Sequence, residues 1–424
     1  MILILKKNIG SKITEIFLVL LLKAILDYSY YYISVNVNIS NLYNIDFNLI
    51  NYLNSWLITI LIYSAFLYKH KIKISILFLL IYILYILPNI VYFGLANKSL
   101  YSLFIIICPY IIILFSTFNF NCNLKKEFKI DINYFFWGSL VLTLLVLFHL
   151  INSSNGDFVK SIDKVYEFRI MYESINMQGY WAYLNSWVFK VFSLLLLIIA
   201  FYKRNRLYMF ISLFLIISLF LFSGYKSVFL SLFIIVFFHF LFKINWNRGI
   251  TLFSFILFFS ILLIITILLS LDNMTVSILI RRLLFVPTVL NFAYIDFFSN
   301  NEYIYWSNSF LKSFNSYPYD KNFALILGEY LNLSNTYANS GFVSMGYAHA
   351  GLLGVLIYTI IGIVIVNYIN SLITLDNKFI QLSLVFTPLY IFFVSSDLLT
   401  TLLTHGLFIV LIVMLFLFFI KNKR

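Results

Sequence analysis

The segment SNTYANSGFVSMGYAHAGLLGVLIY, from Ser334 to Tyr358, begins as a polar stretch of small residues and ends as an apolar, membrane-type helix. One histidine, His349, stands immediately before the apolar run. An α-helix needs about 20 apolar residues to cross the hydrocarbon core of a bilayer. The segment therefore predicts a spanning helix that follows a polar loop on one side of a membrane.

Apolar runs of this kind recur along the whole chain of 424 residues, of which 62% are hydrophobic and only 11% are charged. Phenylalanine and tyrosine are abundant, which is typical of lipid-facing surfaces and interfacial belts. The runs predict an all-α polytopic membrane protein, a single integral membrane domain over residues 1–424 with about 12 transmembrane helices. The predicted spans are 13–34, 49–68, 72–93, 99–118, 132–151, 179–202, 207–223, 227–243, 249–270, 341–369, 379–396 and 402–420.

The distribution of basic residues predicts that both termini are cytoplasmic. In that orientation 18 Lys and Arg residues fall in cytoplasmic segments and nine in outside segments, while Lys23 and Lys190 fall within spans. An excess of Lys and Arg in cytoplasmic loops is the usual signature of orientation. The net charge of +13 is thus mostly a cytoplasmic collar, and we expect no nucleic acid among the partners.

Cysteine and histidine usage gives no sign of a disulfide or a metal centre. Cys108 lies in a predicted span and Cys122 in a cytoplasmic loop, and the five histidines are dispersed without metal-ligand spacing. The sequence also contains no phosphate-binding Gly-rich loop and no nucleophile elbow. We therefore expect no cofactor and no nucleotide-driven motor.

Two outside segments, 152–178 and 271–340, are much longer than the other loops. Loops of this length in a compact protein usually carry function unless they are disordered. The second contains Ile280–Phe298 and Asn322–Leu333, which are apolar enough to pack or to lie at the membrane surface. We expect the two segments to form the cover of an active site at the level of the outer-leaflet headgroups.

The long outside segment, with RRLLFVPTVLNFAYIDFF (281–298) and YAHAGLLGVLIYTIIGIVI (347–365), resembles the O-antigen polymerase (Wzy-type) family. Within Tyr347–Gly354 the polar position of the family's small–polar–small pattern holds His349. The resemblance implies a layout like the C-type glycosyltransferase (GT-C) fold. It also implies polymerisation of undecaprenyl-diphosphate-linked oligosaccharide repeat units on the outer face of the bacterial inner membrane, a step of O-antigen and lipopolysaccharide biosynthesis.

The partners implied by the resemblance are undecaprenyl-diphosphate-linked glycans, the lipid bilayer, and a chain-length regulator and flippase of the same pathway. Two alternative functions stay open. One is a lipid-linked oligosaccharide flippase, which would also combine about twelve spans with charges at membrane depth. The other is an O-antigen ligase of the same layout.

A polymerase of this type releases a lipid diphosphate, and a fixed cation is needed where that charge develops. Arginine suits the task because its planar fork grips phosphate oxygens and stays charged. The candidates are Arg169, with Glu173 one helical turn later, and the pair Arg281 and Arg282. Arg169 and Glu173 could instead form a surface ion pair. Adjacent helical positions diverge by about 100°, so one arginine of the pair should face the site, and we favour Arg282.

Three further candidates carry charges elsewhere. Asp296 is a possible base for the acceptor hydroxyl, or else an exposed loop acid. Lys226, in a short outside turn, could reach phosphate or could be an interfacial lysine. Lys190 lies at membrane depth without a partner three or four residues away, so it should face a cavity, a headgroup or a distant acid.

Small residues between Ser340 and Gly354 predict close approach of helices, because a short side chain lets two backbones come together in lipid. The alternative interpretation is functional. The same seam would then line a cavity floor, with Tyr347 and His349 facing sugar or diphosphate as substrate-binding residues.

Labelling tests the predicted orientation directly. In a background without Cys108 and Cys122, single cysteines placed at Asn155 and Asn315 should react with a membrane-impermeant maleimide added from outside. A cysteine within Lys203–Arg206 should react only after the membrane is opened. Protection of both outside positions would contradict the orientation and the placement of the active site.

Overall fold

The computed structural model describes residues 2–36, 42–69, 71–119, 130–161, 164–176, 178–243, 247–268, 280–309, 316–333 and 336–420. Regular structure in these residues is helical. The one β-type contact among them is an isolated bridge between Ile130 and Ile420. The all-α prediction is therefore confirmed for the described part of the chain.

The described residues include eight helices that are long and apolar enough to cross a membrane. They are Lys12–Asn36, Leu49–Lys69, Ser75–Leu95, Ile132–Ser153, Gly179–Lys203, Arg206–Ser223, Arg248–Ile265 and Phe342–Leu372. Each coincides with a predicted span, and the chain has the build of a multi-pass membrane protein. The other predicted spans coincide with the shorter apolar helices Leu100–Phe115, Leu232–Lys243, Lys378–Val394 and Leu407–Phe418. The total of twelve spans remains a prediction.

The chain divides into two compact units. The first comprises Met1–Asn119, Trp246–Asn367 and Phe392–Leu398, and the second comprises Phe120–Asn245, Tyr368–Ile391 and Leu399–Arg424. Helices that begin in the first unit are Ile2–Asn36, Leu49–Lys69, Ser75–Ile81, Leu87–Leu95, Leu100–Phe115, Arg248–Leu268, Val286–Phe298, Phe323–Tyr330, Phe342–Leu372 and Leu398–Leu403, with π-helices at Tyr82–Ile86 and Arg281–Phe285. Those that begin in the second are Ile132–Ser153, Val165–Asn176, Gly179–Trp187, Ser193–Lys203, Arg206–Ser223, Lys226–Lys243, Lys378–Val394 and Leu407–Phe418, with a π-helix at Val188–Phe192.

Side-chain caps fix several helix ends. Asp131 accepts a hydrogen bond from the N–H of Asn133 at 2.9 Å and begins Ile132–Ser153. Asn205 caps Arg206–Ser223, which ends at Gly224 with a φ of 69°. Short polar residues at the N-cap satisfy otherwise unpaired N–H groups, and glycine adopts the left-handed C-terminal position without a steric penalty.

The helical stretch Ser75–Leu95 is the core of the first unit, because its most apolar window is buried throughout. It packs against Leu49–Lys69 and against Ile2–Asn36. A helix that is hydrophobic on every face belongs inside a larger assembly of helices. The lipid-facing surface of this unit is therefore left to the surrounding helices.

The buried charges of the first helix form a structural pair, as their spacing of four residues predicts. The Nζ of Lys23, which is 0% exposed, lies 2.8 Å and 3.0 Å from the two carboxylate oxygens of Asp27. Tyr52 donates a hydrogen bond to Asp27 at 3.2 Å, and the ammonium lies 4.2 Å from the ring centroid of Trp56. Each charge thus has a close partner at membrane depth, and removal of only one would leave the other uncompensated.

The long apolar segment Phe342–Leu372, counted above as one spanning helix, consists of two consecutive helices, because helical geometry fails at Ala350 and Gly351. Gly351 has a φ of 58° and a ψ of −140°, a conformation open to glycine alone among common residues. A side chain there would also meet Tyr303, whose hydroxyl oxygen would lie 2.8 Å from the added Cβ. The break comes directly after His349.

Across this break the chain folds back on itself at two glycines. A Cβ on Gly346 would lie 2.9 Å from the carbonyl oxygen of Gly354, and a Cβ on Gly354 would overlap the carbonyl oxygen of Gly346. In a straight helix residues eight apart are separated by about 12 Å. At these two glycines the small-residue seam therefore packs one part of the segment against another part of the same segment.

The second long outside segment contains packed helices in its described part. The π-helix Arg281–Phe285 leads directly into Val286–Phe298, whose side chains are mostly buried. Phe323–Tyr330 follows after an irregular stretch and buries four of its residues. The apolar stretches 280–298 and 322–333 thus contain packed helices, one of the two arrangements that the sequence predicts, and their role as an active-site cover remains a prediction.

A buried amide ties this segment to the core of the first unit. Asn291, which is 0% exposed, donates a hydrogen bond to the Oδ1 of Asn89 at 3.1 Å. The hydroxyls of Ser340 and Ser344 donate to the Oδ1 of Asn291 at 3.0 Å and 2.7 Å. Buried polar groups are stable only when bonded, so these contacts specify how three segments meet.

The glycine contact makes a stability prediction. Gly354→Ala should lower the free energy of unfolding by about 1–3 kcal/mol, because the added methyl group has to displace backbone atoms. Gly138→Ala is the control, since a Cβ at Gly138 meets nothing within 4 Å and should be neutral or stabilising by about 0.5–1 kcal/mol. Thermal unfolding of the purified protein in detergent gives both values. Equal midpoints for the two variants would contradict the close packing.

Candidate functional site

His349 lies at the end of the helix that precedes the break, and its ring is 0% exposed. Its Nδ1 accepts a hydrogen bond from the backbone N–H of Trp306 at 3.3 Å, and the two rings stack with centroids 5.0 Å apart. The Nε2 lies 3.5 Å from the Oδ1 of Asp397. Because Nδ1 is an acceptor, a neutral His349 carries its proton on Nε2, which lies on the side of the carboxylate without a hydrogen bond to a described residue.

Asp397 accepts a hydrogen bond from a tyrosine and keeps a small exposed fraction. The hydroxyl of Tyr358 donates to its Oδ1 at 2.6 Å, and the indole N–H of Trp306 donates to that hydroxyl at 2.9 Å. The carboxylate side chain is 12% exposed. We call these four residues, Trp306, His349, Tyr358 and Asp397, the outer network, because the predicted orientation places Asp397 in the last outside turn.

The outer network keeps Asp397 ionised. Burial alone raises the pKa of the Asp397 carboxyl, but the contacts from His349 and Tyr358 outweigh it, so the pKa lies below the usual range. The carboxylate is therefore a fixed negative charge and hydrogen-bond acceptor at neutral pH. Such a group can orient a hydroxyl, and although its lowered pKa makes it a weak base, it can accept the proton once bond formation has made the hydroxyl acidic.

Backbone strain accompanies the outer network. Tyr305 and Trp306 have φ values of 50° and 58°, in the left-handed region that bulky residues rarely occupy. Their segment is fixed by hydrogen bonds from the N–H of Ile304 to the oxygen of Ala348 and from the N–H of Tyr305 to the oxygen of His349, both at 2.9 Å. These bonds satisfy carbonyls that the helix break leaves open.

The paired arginines lie on the π-helix Arg281–Phe285 and differ in exposure. Arg281 is half-buried, and its Nε, shielded from solvent, has no hydrogen-bond partner among the described residues. Arg282 is exposed. Both reach the neighbourhood of Tyr43: burial raises the pKa of its phenol, and the two guanidinium charges oppose that rise. Burial therefore favours Arg281 over Arg282 as the residue that faces a site, whereas the sequence favours Arg282.

Asp296 lies on the helix Val286–Phe298 and is neither fully exposed nor fully buried. Burial raises the pKa of its carboxyl, and the ammonium of Lys98 opposes the rise. Asp296 lines a cavity of about 590 Å³, together with Asp46 and Lys98. Asp296 thus belongs to a polar cavity in the first unit.

Arg169 is placed in the second unit, on the helix Val165–Asn176. Its guanidinium carbon lies 5.3 Å from the ring centroid of Tyr225, a cation–π contact. The side chains of Glu173 and Lys226 are not among those that the structure describes. The predicted pairing of Arg169 with Glu173 therefore remains a prediction, as does a phosphate contact by Lys226.

Lys190 also lies in the second unit, on the π-helix Val188–Phe192 within a predicted span. Its ammonium contacts the Nδ1 of His405, which the sequence does not predict because the two residues are far apart along the chain. Gly406 packs against this helix, since a Cβ there would lie 2.7 Å from Val191. π-Helical turns such as Val188–Phe192 often occur at functional sites.

Tyr347 is buried and meets Tyr303 edge-on, with ring centroids 6.2 Å apart. It takes part in the packing around the helix break. Of the two substrate-binding candidates on this seam, neither Tyr347 nor His349 presents an exposed side chain.

Sequence reasoning missed three members of the outer network, Trp306, Tyr358 and Asp397. They are distant from His349 or from one another in the chain, and no fixed spacing links them. The only available signal was the position of Asp397 in a short outside turn between two predicted spans. A charged residue in such a turn is common, so the signal is weak.

Among the described residues, no three His, Cys, Asp or Glu side chains converge as metal ligands would. The polar groups at hand are carboxylates, hydroxyls, an imidazole and guanidinium groups, which suit proton transfer and anion binding. Comparison with protein-family models, with curated proteins and with solved structures finds no match, and the resemblance to the O-antigen polymerase family remains a prediction.

Proposed function

We propose that this protein is a glycosyltransferase that polymerises undecaprenyl-diphosphate-linked oligosaccharide repeat units of O-antigen or a similar surface polysaccharide on the outer face of the bacterial inner membrane. The observation that carries the proposal is the guanidinium of Arg281. Its shielded Nε lacks a hydrogen-bond partner among the described residues. A buried donor without a partner is costly, and an anionic ligand would satisfy it.

The reaction explains why a cation is needed there. The acceptor hydroxyl attacks the anomeric carbon of the donor sugar, the bond from that carbon to the diphosphate oxygen breaks, and the lipid diphosphate leaves. Negative charge grows on the leaving oxygen in the transition state. A guanidinium already in position stabilises that charge without reorganisation, and its fork matches two phosphate oxygens.

Asp397 is the proposed base for the acceptor hydroxyl. Its carboxylate is ionised, oriented by Tyr358 at 2.6 Å and by His349 at 3.5 Å, and it retains some exposure. His349 is a positioning residue in this scheme, because both its nitrogens face protein groups. The proton of the hydroxyl passes to the Asp397 carboxylate as the new glycosidic bond forms.

A clean deletion distinguishes this proposal from its main alternatives. Loss of a polymerase should leave a single repeat unit on the final acceptor, because translocation and ligation continue. Loss of a flippase or a ligase should leave no repeat unit there. The glycan profile of the deletion strain, resolved by gel electrophoresis, is the measurement.

The arginines carry the first prediction on activity. Arg281→Ala should reduce chain extension about a hundredfold, equivalent to about 3 kcal/mol of lost transition-state stabilisation. Arg281→Lys should recover only part of the rate, since lysine keeps the charge but loses the fork. Arg169→Ala should cause a loss of the same order if its guanidinium also grips phosphate. The measurement is the length distribution of surface polysaccharide at matched protein level.

Arg282→Ala is the internal control, because its exposed side chain should contribute little. A full-length ladder from both Arg281→Ala and Arg169→Ala would show that these arginines are interfacial anchors. The reverse pattern, with loss only in Arg282→Ala, would support the choice that the sequence favours and would move the anion site to the other member of the pair.

The outer network gives a second prediction on activity. Asp397→Asn should abolish most chain extension, because the amide cannot accept the proton. His349→Asn should retain most of it, because the asparagine oxygen can accept the hydrogen bond from Trp306. Asp320→Asn, at an exposed carboxylate of the outside segment, is the matched control. Complete loss in His349→Asn at a normal protein level would contradict a role of the imidazole limited to positioning.

A further inference from the structure

Four segments of the first unit line a surface cavity of about 590 Å³ that is open on one side. They are the loop after the first helix, the end of Leu87–Leu95 with the turn that follows it, and two parts of the second long outside segment. The volume lies within the range of about 300–1,000 Å³ that is usual for sites that bind small molecules. We call it the outer cavity. Its polar lining consists of Asn44, Asp46, Lys98, Asp296 and Asn332.

The polar groups of the outer cavity are braced by neighbours. Asp46 accepts a hydrogen bond from the side-chain amide of Asn97 at 3.1 Å, and Asn97 in turn accepts one from Asn51 at 2.8 Å. The ammonium of Lys98 lies 5.5 Å from the ring centroid of Tyr92, another lining residue. Polar groups held in this way are pre-organised for a ligand.

The charges of the outer cavity narrow the class of ligand. Two carboxylates and one ammonium leave a net negative charge, which repels a diphosphate. The positive charge of Lys98 lowers the pKa of the Asp296 carboxyl against the effect of burial. The same ammonium would repel a divalent cation placed beside that carboxylate. A neutral ligand that offers hydroxyl donors to carboxylates and hydroxyl acceptors to an ammonium matches this lining.

Aromatic rings supply the complementary apolar surface. Tyr330 lines the cavity with a side chain that is 52% exposed, yet its ring is supported by Phe297 at a centroid distance of 5.4 Å. Phe292 and Tyr92 line deeper parts and are almost fully buried. A fixed, exposed ring beside carboxylates suits the apolar face of a pyranose, whose edge carries the hydroxyls.

We propose that the outer cavity binds the saccharide portion of the lipid-linked repeat unit, as a neutral pyranose with its hydroxyls on Asp46, Asp296 and Lys98 and its face on Tyr330. The choice of the repeat unit as source rests on the proposed function. The recognition of a neutral saccharide rests on the cavity itself. Different groups then recognise the two parts of the substrate. The carboxylates of the outer cavity bind the glycan, and the guanidinium of Arg281 binds the diphosphate.

Direct binding tests the proposal apart from catalysis. The probe is the repeat-unit oligosaccharide released by mild acid from the lipid-linked pool of the host cells, and therefore free of lipid and diphosphate. Its dissociation constant is measured by thermophoresis on the full chain in lipid nanodiscs. The variants are Asp46→Asn, Asp296→Asn, Tyr330→Ala and Tyr330→Phe, with Asp320→Asn as the matched control. Gel filtration verifies that each variant is folded.

We expect the wild type to bind the probe, Asp46→Asn and Asp296→Asn to weaken binding at least tenfold, and Asp320→Asn to leave it unchanged. Tyr330→Ala should weaken binding, and Tyr330→Phe should preserve it because the ring remains. Failure of the wild type to bind the probe would overturn the proposal, as would normal binding in both Asp46→Asn and Asp296→Asn. Binding that depends on these residues in a protein without polymerase activity would support the cavity and refute the proposed function.

Discussion

The close contact between Gly346 and Gly354 is the constraint on which the candidate site depends. Without side chains at these positions the chain can break at Ala350 and Gly351 and fold back on itself. The break ends a helix directly after His349 and leaves its last carbonyls unpaired. The strained segment around Trp306 then supplies the missing donors, and one backbone irregularity stabilises another.

The helix break also assembles the outer network, because it brings residues that are distant along a helix into contact with one carboxylate. His349 and Tyr358 lie on opposite sides of it, yet both reach the same oxygen of Asp397, at 3.5 Å and 2.6 Å. A continuous helix would place residues nine apart about 13 Å from one another along its axis. The oriented carboxylate is thus a product of the fold, and neither its position nor its partners follow from local sequence.

Hydropathy and charge spacing in the sequence predict the positions of the helices and of one ion pair, and this holds for most of the described chain. The apolar runs locate the eight long helices, and the spacing of Lys23 and Asp27 predicts their pairing. The break inside Phe342–Leu372 escapes prediction because glycine is common in spanning helices and only a tertiary contact makes it a hinge. The partners of His349 and Lys190 escape for a similar reason, since a contact between distant segments has no local signature.

Under the proposed function, separate recognition of the two parts of a lipid-linked glycan gives a physical reason why the arginine and the cavity carboxylates lie at different places. A diphosphate needs a fixed cation in a dry environment, and the half-buried Arg281 offers one. A neutral sugar needs acceptors and an apolar face, and the same cation would contribute little to its affinity. Carboxylates beside the arginine would neutralise it, whereas carboxylates in a cavity of their own leave its charge available. The proposed enzyme can therefore bind the hydroxyls of a growing glycan in the cavity, while the guanidinium of Arg281 stabilises only the leaving group.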